Sequence, residues 1–216
     1  MFIGHYAVGF AAKRFAPQTS LGVLIASTLL LDLLWPLFVL AGWEQVRIEP
    51  GNTAFTPLNF VSYPISHSLI AAVGWATLFA AVYYLIKRYS SGAVVVWIGV
   101  VSHWFLDFVT HRPDMPLYPG GPLAGLGLWN SPVATVVVEG LMYVVGVWIY
   151  LRVTRTRDGV GKWGLWSFVI LLAALYVANI FSPPPTEVKP ILIVTTPIVW
   201  LIIVWAWWAD RHRETR

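Results

Sequence analysis

Residues 102–114 read SHWFLDFVTHRPD. His103, Asp107 and His111 recur there at every fourth residue, near the end of a run of Val, Trp, Phe and Leu apolar enough to sit in lipid. Residues at i, i+4 and i+8 line one face of a helix. Ionisable groups within a membrane span are costly, and they turn toward protein, an ion or water. The stretch therefore predicts a membrane helix with one polar, ligand-bearing face.

Composition supports lipid as the solvent. The chain has 216 residues, of which 58% are hydrophobic and only 11% charged, with a mean hydropathy of +0.70. Soluble domains carry roughly 25% charged residues, so this chain lacks the polar surface to face water. Its 13 Trp and 9 Tyr are the types that collect where membrane meets water. The absence of cysteine excludes disulfides, thiolate metal sites and cysteine nucleophiles, and leaves His, Asp and Glu as the only metal ligands. The net charge of +4 gives no reason to expect nucleic acid, because the basic residues gather at the ends of apolar runs. Lys13 and Arg14 follow the apolar N-terminal stretch, which is the wrong order for a signal peptide.

A span needs about 20 mostly apolar residues. Candidates lie at 20–42, 66–86, 92–111, 132–151, 163–182 and 190–209. Pro132, Ser90-Ser91-Gly92 and Ser182-Pro183-Pro184-Pro185 punctuate them. Eleven Lys and Arg residues fall on one side of this arrangement and only Arg47, Arg112 and Lys189 on the other. That bias predicts six spans with both termini cytoplasmic. The expected fold is all-α: one polytopic membrane bundle over 1–216, with a site-bearing part at 1–151 and two scaffold spans in 152–216. The opening segment MFIGHYAVGFAAKRFAP is too short to cross. It is either an interfacial helix, or a half-helix that buries His5.

The titratable residues inside the spans are Asp32, His67, His103, Asp107, His111 and Glu139. At ~1.5 Å per residue, Asp32 and His103 stand at nearly the same height, with Asp107 about one turn above and Glu139 near its level. Four helices thus bring His or carboxylate to the outer half of the membrane, with no Lys or Arg at that depth. Unpaired anions there must be protonated or bind cations. A divalent transition metal accounts for all of them together; nitrogen and oxygen ligands without sulfur suit Zn, Mn, Fe or Ni. The alternatives are helix–helix hydrogen bonds without metal and a proton or ion relay in a transporter. The loop RPDMPLYPGGPLAGLGLWNSP emerges beside His111 and reads as an outer loop or as a lid, with Arg112 placed to hold an anionic group.

GHYAVGFAAK, LLDLLWP, YPISHSL and SHWFLDFVTHRPDMPLYPGG, with GLGLWNSP before Glu139, resemble the membrane-bound metal-dependent hydrolase family of bacterial and archaeal inner-membrane proteins. The resemblance covers about the first two-thirds of the chain. The order His, Asp, His, His-x-x-x-Asp is also similar to the ligand order of the zinc-dependent phospholipase C and nuclease superfamily. It implies His5, Asp32, His67, His103 and Asp107 as ligands, with His111 completing a cluster of one or two ions, most simply zinc. The soluble superfamily continues with a His-x-x-x-Glu pair, whereas Thr135 stands four residues before Glu139. The implied activity is hydrolysis of a lipid or lipid-linked ester or phosphoester by metal-activated water. Asp32 or Asp107 then bridges two ions, Glu139 is a ligand or the general base, and Arg112 contacts the substrate. A proton- or ion-coupled transporter and a non-catalytic, metal-stabilised membrane protein remain the alternatives.

Overall fold

The computed structural model describes residues Met1 to Arg216. Nine helices dominate it: α1 (Ile3–Ala12), α2 (Leu21–Thr28), α3 (Leu30–Leu40), α4 (Pro64–His67), α5 (Leu69–Lys87), α6 (Ser90–Thr110), α7 (Pro132–Val153), α8 (Gly159–Phe181) and α9 (Val188–Arg211). The helices from α5 to α9 are each long and apolar enough to cross a membrane, and α2 with α3 would make a sixth span, bent by 54°. Large apolar side chains such as Ile70, Leu141, Ile170 and Phe181 lie exposed on their outward faces. Such extensive exposed apolar surface calls for an apolar solvent.

The helix starts follow local chemistry. Ser68 accepts from the N–H of Ala71 ahead of α5, and Ser131 does the same for Ala134 ahead of α7, where Pro132 fills the first turn. Asp158 caps α8 and accepts from His212 Nδ1 at 2.7 Å. That contact, with the Gly161 N–H, holds its carboxyl below the usual carboxylate range.

Three sequence expectations change. The first span is not one straight helix: Ser27 and Thr28 turn their hydroxyls back onto the Leu24 and Ile25 carbonyls at 2.6 and 3.0 Å, and the helix breaks at Leu29. The second span begins at Leu69 instead of 66, because Ser68 adopts an extended conformation and leaves His67 on the separate one-turn α4. The bundle is all-α as expected, with three short two-stranded antiparallel sheets in its connections and at its end. They are β1 (Gln45–Ile48) with β2 (Leu58–Ser62), β3 (Met115–Pro116) with β4 (Leu123–Ala124), and β5 (Thr154–Thr156) with β6 (Arg213–Thr215). The first is a hairpin in which Phe60 faces inward toward His111, at 4.9 Å between ring centres.

The third change concerns the side on which the N-terminus lies. Of the two alternatives for the opening segment, α1 is the half-helix that buries His5, since Ile3, Tyr6 and Phe10 join the main core with Ile25, Tyr143, Tyr150 and Phe168. Close approach makes room for it: a Cβ at Gly146 of α7 would stand 2.4 Å from the Ala7 carbonyl oxygen. Met1 lies within the bundle with its amine on Asp107, so the N-terminus is not at the end where the basic residues gather. At that other end, Lys13 Nζ meets Asp210 Oδ2 at 2.8 Å and the Thr19 carbonyl at 2.9 Å. Asp210 also accepts from Tyr150 Oη at 2.6 Å and from the Leu21 N–H at 3.0 Å. β5 and β6 close the same end.

A buried histidine and aspartate cluster as candidate metal centre

α1, α3, α4 and α6 converge on one point. His67 Nε2 and His103 Nε2 each lie 3.6 Å from Asp32 Oδ1. The same two nitrogens lie 3.8 and 3.1 Å from Asp107 Oδ2. Two ligand atoms bonded at ~2.0–2.1 Å to one tetrahedral ion stand about 3.3 Å apart. These four His–Asp separations, made by donor atoms from three segments, therefore lie near the edge length of a tetrahedral site.

The outer hydrogen bonds decide which way the histidines face. His103 Nδ1 lies 2.7 Å from the carbonyl of Thr28, the last residue before the break in the first span. In an unbroken helix that carbonyl would accept from Asp32 N–H, so the break supplies the acceptor. His111 Nδ1 lies 3.0 Å from Asp114 Oδ1. A carbonyl and a carboxylate can only accept, so both Nδ1 atoms carry the proton. His67 Nδ1 lies 2.7 Å from Ser66 Oγ, whose own proton goes to Glu44 Oε2 at 2.6 Å. That hydroxyl must accept, and His67 Nδ1 is protonated as well. In its neutral form each ring then presents an Nε2 lone pair toward the carboxylates, and the buried His103 Nε2 makes no hydrogen bond of good geometry. Histidines held by an outer acceptor with a bare inner nitrogen are the usual arrangement around metals.

His5 joins the cluster differently. Its ring stacks on His103 at 3.8 Å between centres, and its Nε2 lies 3.1 Å from Asp107 Oδ1, beside the Met1 amine. Asp107 thus shows one oxygen to His67 and His103 and the other to His5. Two sets of three residues bring their ligand atoms within 4.8 Å of one another, His5–His103–Asp107 and Asp32–His67–His103, with His103 common to both.

His111 is past the end of α6, in extended conformation, and not on the helical face that i+8 spacing predicts. Its ring nevertheless turns back, with Nε2 4.0 Å from Asp107 Oδ2. Glu139 is fully buried but belongs to neither set. Its Oε2 accepts the Phe2 and Gly4 N–H groups at 2.8 and 3.2 Å, so it seats the start of α1. Arg112 is engaged away from the cluster, by Asp114 Oδ2 at 3.3 Å and Asn59 Oδ1 at 2.7 Å. The 112–131 loop does come over the site: Trp129 lies on the His111 ring at 4.2 Å, next to Phe55 and Phe60. The open side is at Asp32, whose side chain is 42% accessible against 5% or less for His5, His67, His103 and Asp107.

Glu44, Ser66, Tyr63, Asp114 and Thr28 are absent from the sequence-derived set. Tyr63 Oη donates to Asp114 Oδ1 at 3.0 Å, and Glu44 Oε1 accepts the Ile65 and Ser66 N–H groups at 2.8 Å each. Two of the five leave a local trace: Ser66 is adjacent to His67, and Asp114 stands three residues after His111.

Fold and site together define a helical protein of membrane type with buried His/Asp groupings that could in principle hold a metal ion. Searches of protein-family models, curated proteins and solved structures give no match.

Proposed function

We propose that the chain is a membrane-embedded, metal-dependent hydrolase of the type its motifs resemble, acting on a lipid or lipid-linked ester or phosphoester. It would cross a bacterial or archaeal inner membrane six times, with the basic end cytoplasmic and the cluster in the outer half of the bilayer. The observation that carries the reading is the shared orientation of His67, His103 and His111. All three spend their Nδ1 proton on an outer acceptor and aim Nε2 at Asp107. The opposite tautomer would set Nδ1 lone pairs against the Thr28 carbonyl and the Asp114 carboxylate, so Nε2 is the nitrogen left to bind an ion. Asp32, His67, His103 and Asp107 would hold a divalent ion, most simply zinc, and a second ion beside His5 and the other oxygen of Asp107 would take the place of the Met1 amine. A bound ion of this kind supplies Lewis acidity and lowers the pKa of water toward neutrality. The chain's own part is to fix the donor atoms, exclude water on the His103 side and admit substrate beside Asp32. Glu139 positions α1, and the oxygen of Asp32 that does not face the histidines would serve as the general base.

The break at Leu29, next to Asp32, favours one rival, an ion-coupled transporter, since interrupted spans mark transporter binding sites. Metal content per chain, measured by mass spectrometry, and phospholipid turnover in detergent separate the two. One or two transition-metal ions per chain, lost in a folded His103→Ala/Asp107→Ala variant, with turnover in the absence of any gradient, is the expected result. Metal-free protein from preparations supplied with metal would sink the hydrolase reading.

Ser66→Ala tests the outer support of His67. It removes the only acceptor of His67 Nδ1, and losses of this kind cost about 10–100-fold in metal affinity. Competition against a chelator should show that drop with thermal stability nearly unchanged; an unaltered affinity would mean that His67 is not a ligand.

A further inference from the structure

The basic end carries a repeated side-chain arrangement that the cluster does not use. Arg152 lies over the Trp148 ring at 5.3 Å, Lys162 over Trp163 at 4.8 Å and Arg211 over Trp207 at 4.8 Å. A fourth cation, Arg88, stands over Tyr84 at 5.9 Å on α5. The first three lie on α7, α8 and α9, whose ends are drawn together by the pairing of β5 with β6. All three indoles face outward, with Trp148 53%, Trp163 67% and Trp207 41% exposed.

Neighbouring acids are already taken. Glu214 pairs with Arg155 and Arg157, Asp158 with His212, and Asp210 with Lys13. Arg152, Lys162 and Arg211 have no acidic partner. An exposed indole settles at the depth of lipid headgroups, and a cation fixed on its face is held at that depth too. Three cations without an acidic partner are thus presented at headgroup level in a sector made by the basic ends of α7, α8 and α9.

We propose that this sector binds anionic glycerophospholipids of the adjoining leaflet, each cation–indole pair clasping one headgroup phosphate between the basic group and the ring edge. Cations at a membrane surface attract anionic lipid individually; pairing with the ring adds a fixed depth and orientation. The occupant is an intact lipid and not a soluble phosphate, because the indoles beside the cations offer apolar surface to an acyl chain. The proposal stands independently of the metal reading.

The test uses the full chain in mixed micelles holding equal amounts of phosphatidylglycerol and phosphatidylcholine, with retained lipids counted by native mass spectrometry. Phosphatidylglycerol should be retained about tenfold over phosphatidylcholine. Arg152→Gln/Lys162→Gln/Arg211→Gln should bring the two to parity, with metal content unchanged. Because loss of basic residues can disturb insertion, a second variant keeps every charge. Trp148→Leu/Trp163→Leu/Trp207→Leu should reduce the preference severalfold. Equal retention of both lipids by the native protein, or a full preference surviving in either variant, would overturn the proposal.

Discussion

His103→Ala is expected to strip the protein of bound transition metal, while His5→Ala leaves at least one ion in place. The asymmetry follows from the geometry. His103 is common to both sets of ligand atoms, whereas His5 belongs to one and reaches only the second oxygen of Asp107. Removing His103 also takes away a ring braced from behind by the Thr28 carbonyl at 2.7 Å. The affinity loss should exceed the ~100-fold that a lost supporting partner alone can cost. Removing His5 leaves the His67 and His103 Nε2 atoms at 3.1–3.8 Å from Asp32 Oδ1 and Asp107 Oδ2. Metal per chain, with thermal unfolding as the check on folding, reads both variants. A His5→Ala protein as empty as His103→Ala would mean that the two sets are one site; a His103→Ala protein with full metal would place the ion elsewhere.

How far the site was legible depended on whether its signal was local. His103 and Asp107 share a helix, so their spacing alone puts them on one face. Asp32 and His67 could be matched to them only by depth. That works because a membrane gives sequence position a physical height. His5 needed the third dimension: its burial rests on α1 packing against Gly146 of α7, 139 positions on from Ala7 in a 216-residue chain. Glu44 sits in what reads as a solvated outer loop, and nothing local says that it folds under α4 to hold Ser66. Arg112 shows the converse. Its position beside His111 is right, but Asn59, contributed by the β1–β2 hairpin, takes the guanidinium first.

The break at Leu29 was hidden for a subtler reason. Leu-Ile-Ala-Ser-Thr-Leu-Leu-Leu-Asp contains neither Gly nor Pro, the residues that ordinarily announce a kink. The break instead uses Ser27 and Thr28, whose hydroxyls satisfy carbonyls one turn back. Those are weak signals in sequence. Yet the deformation is what frees the Thr28 carbonyl for His103, so the least visible feature of the first span is coupled to the most visible residue of the third.

Asp210→Ala is expected to destabilise the fold more than any substitution in the metal cluster, by about 3–5 kcal/mol. Asp210 is the only acid that faces the buried Lys13, and it simultaneously accepts from Tyr150 Oη and the Leu21 N–H. Truncation leaves an ammonium group with one remaining acceptor, the Thr19 carbonyl, and strands two further donors on α7 and α2. The penalty comes chiefly from that uncompensated charge, not from the lost ion pair as such. Lys13→Met/Asp210→Leu should accordingly recover most of the lost stability, since it removes charge and partner together. Thermal unfolding in detergent would show Asp210→Ala melting ~10 °C or more below the native protein, with the double variant close to native. If the double variant were as unstable as the single one, the network would be holding α1, α2, α7 and α9 in register through its hydrogen bonds, and the buried charge would be the smaller part of the cost.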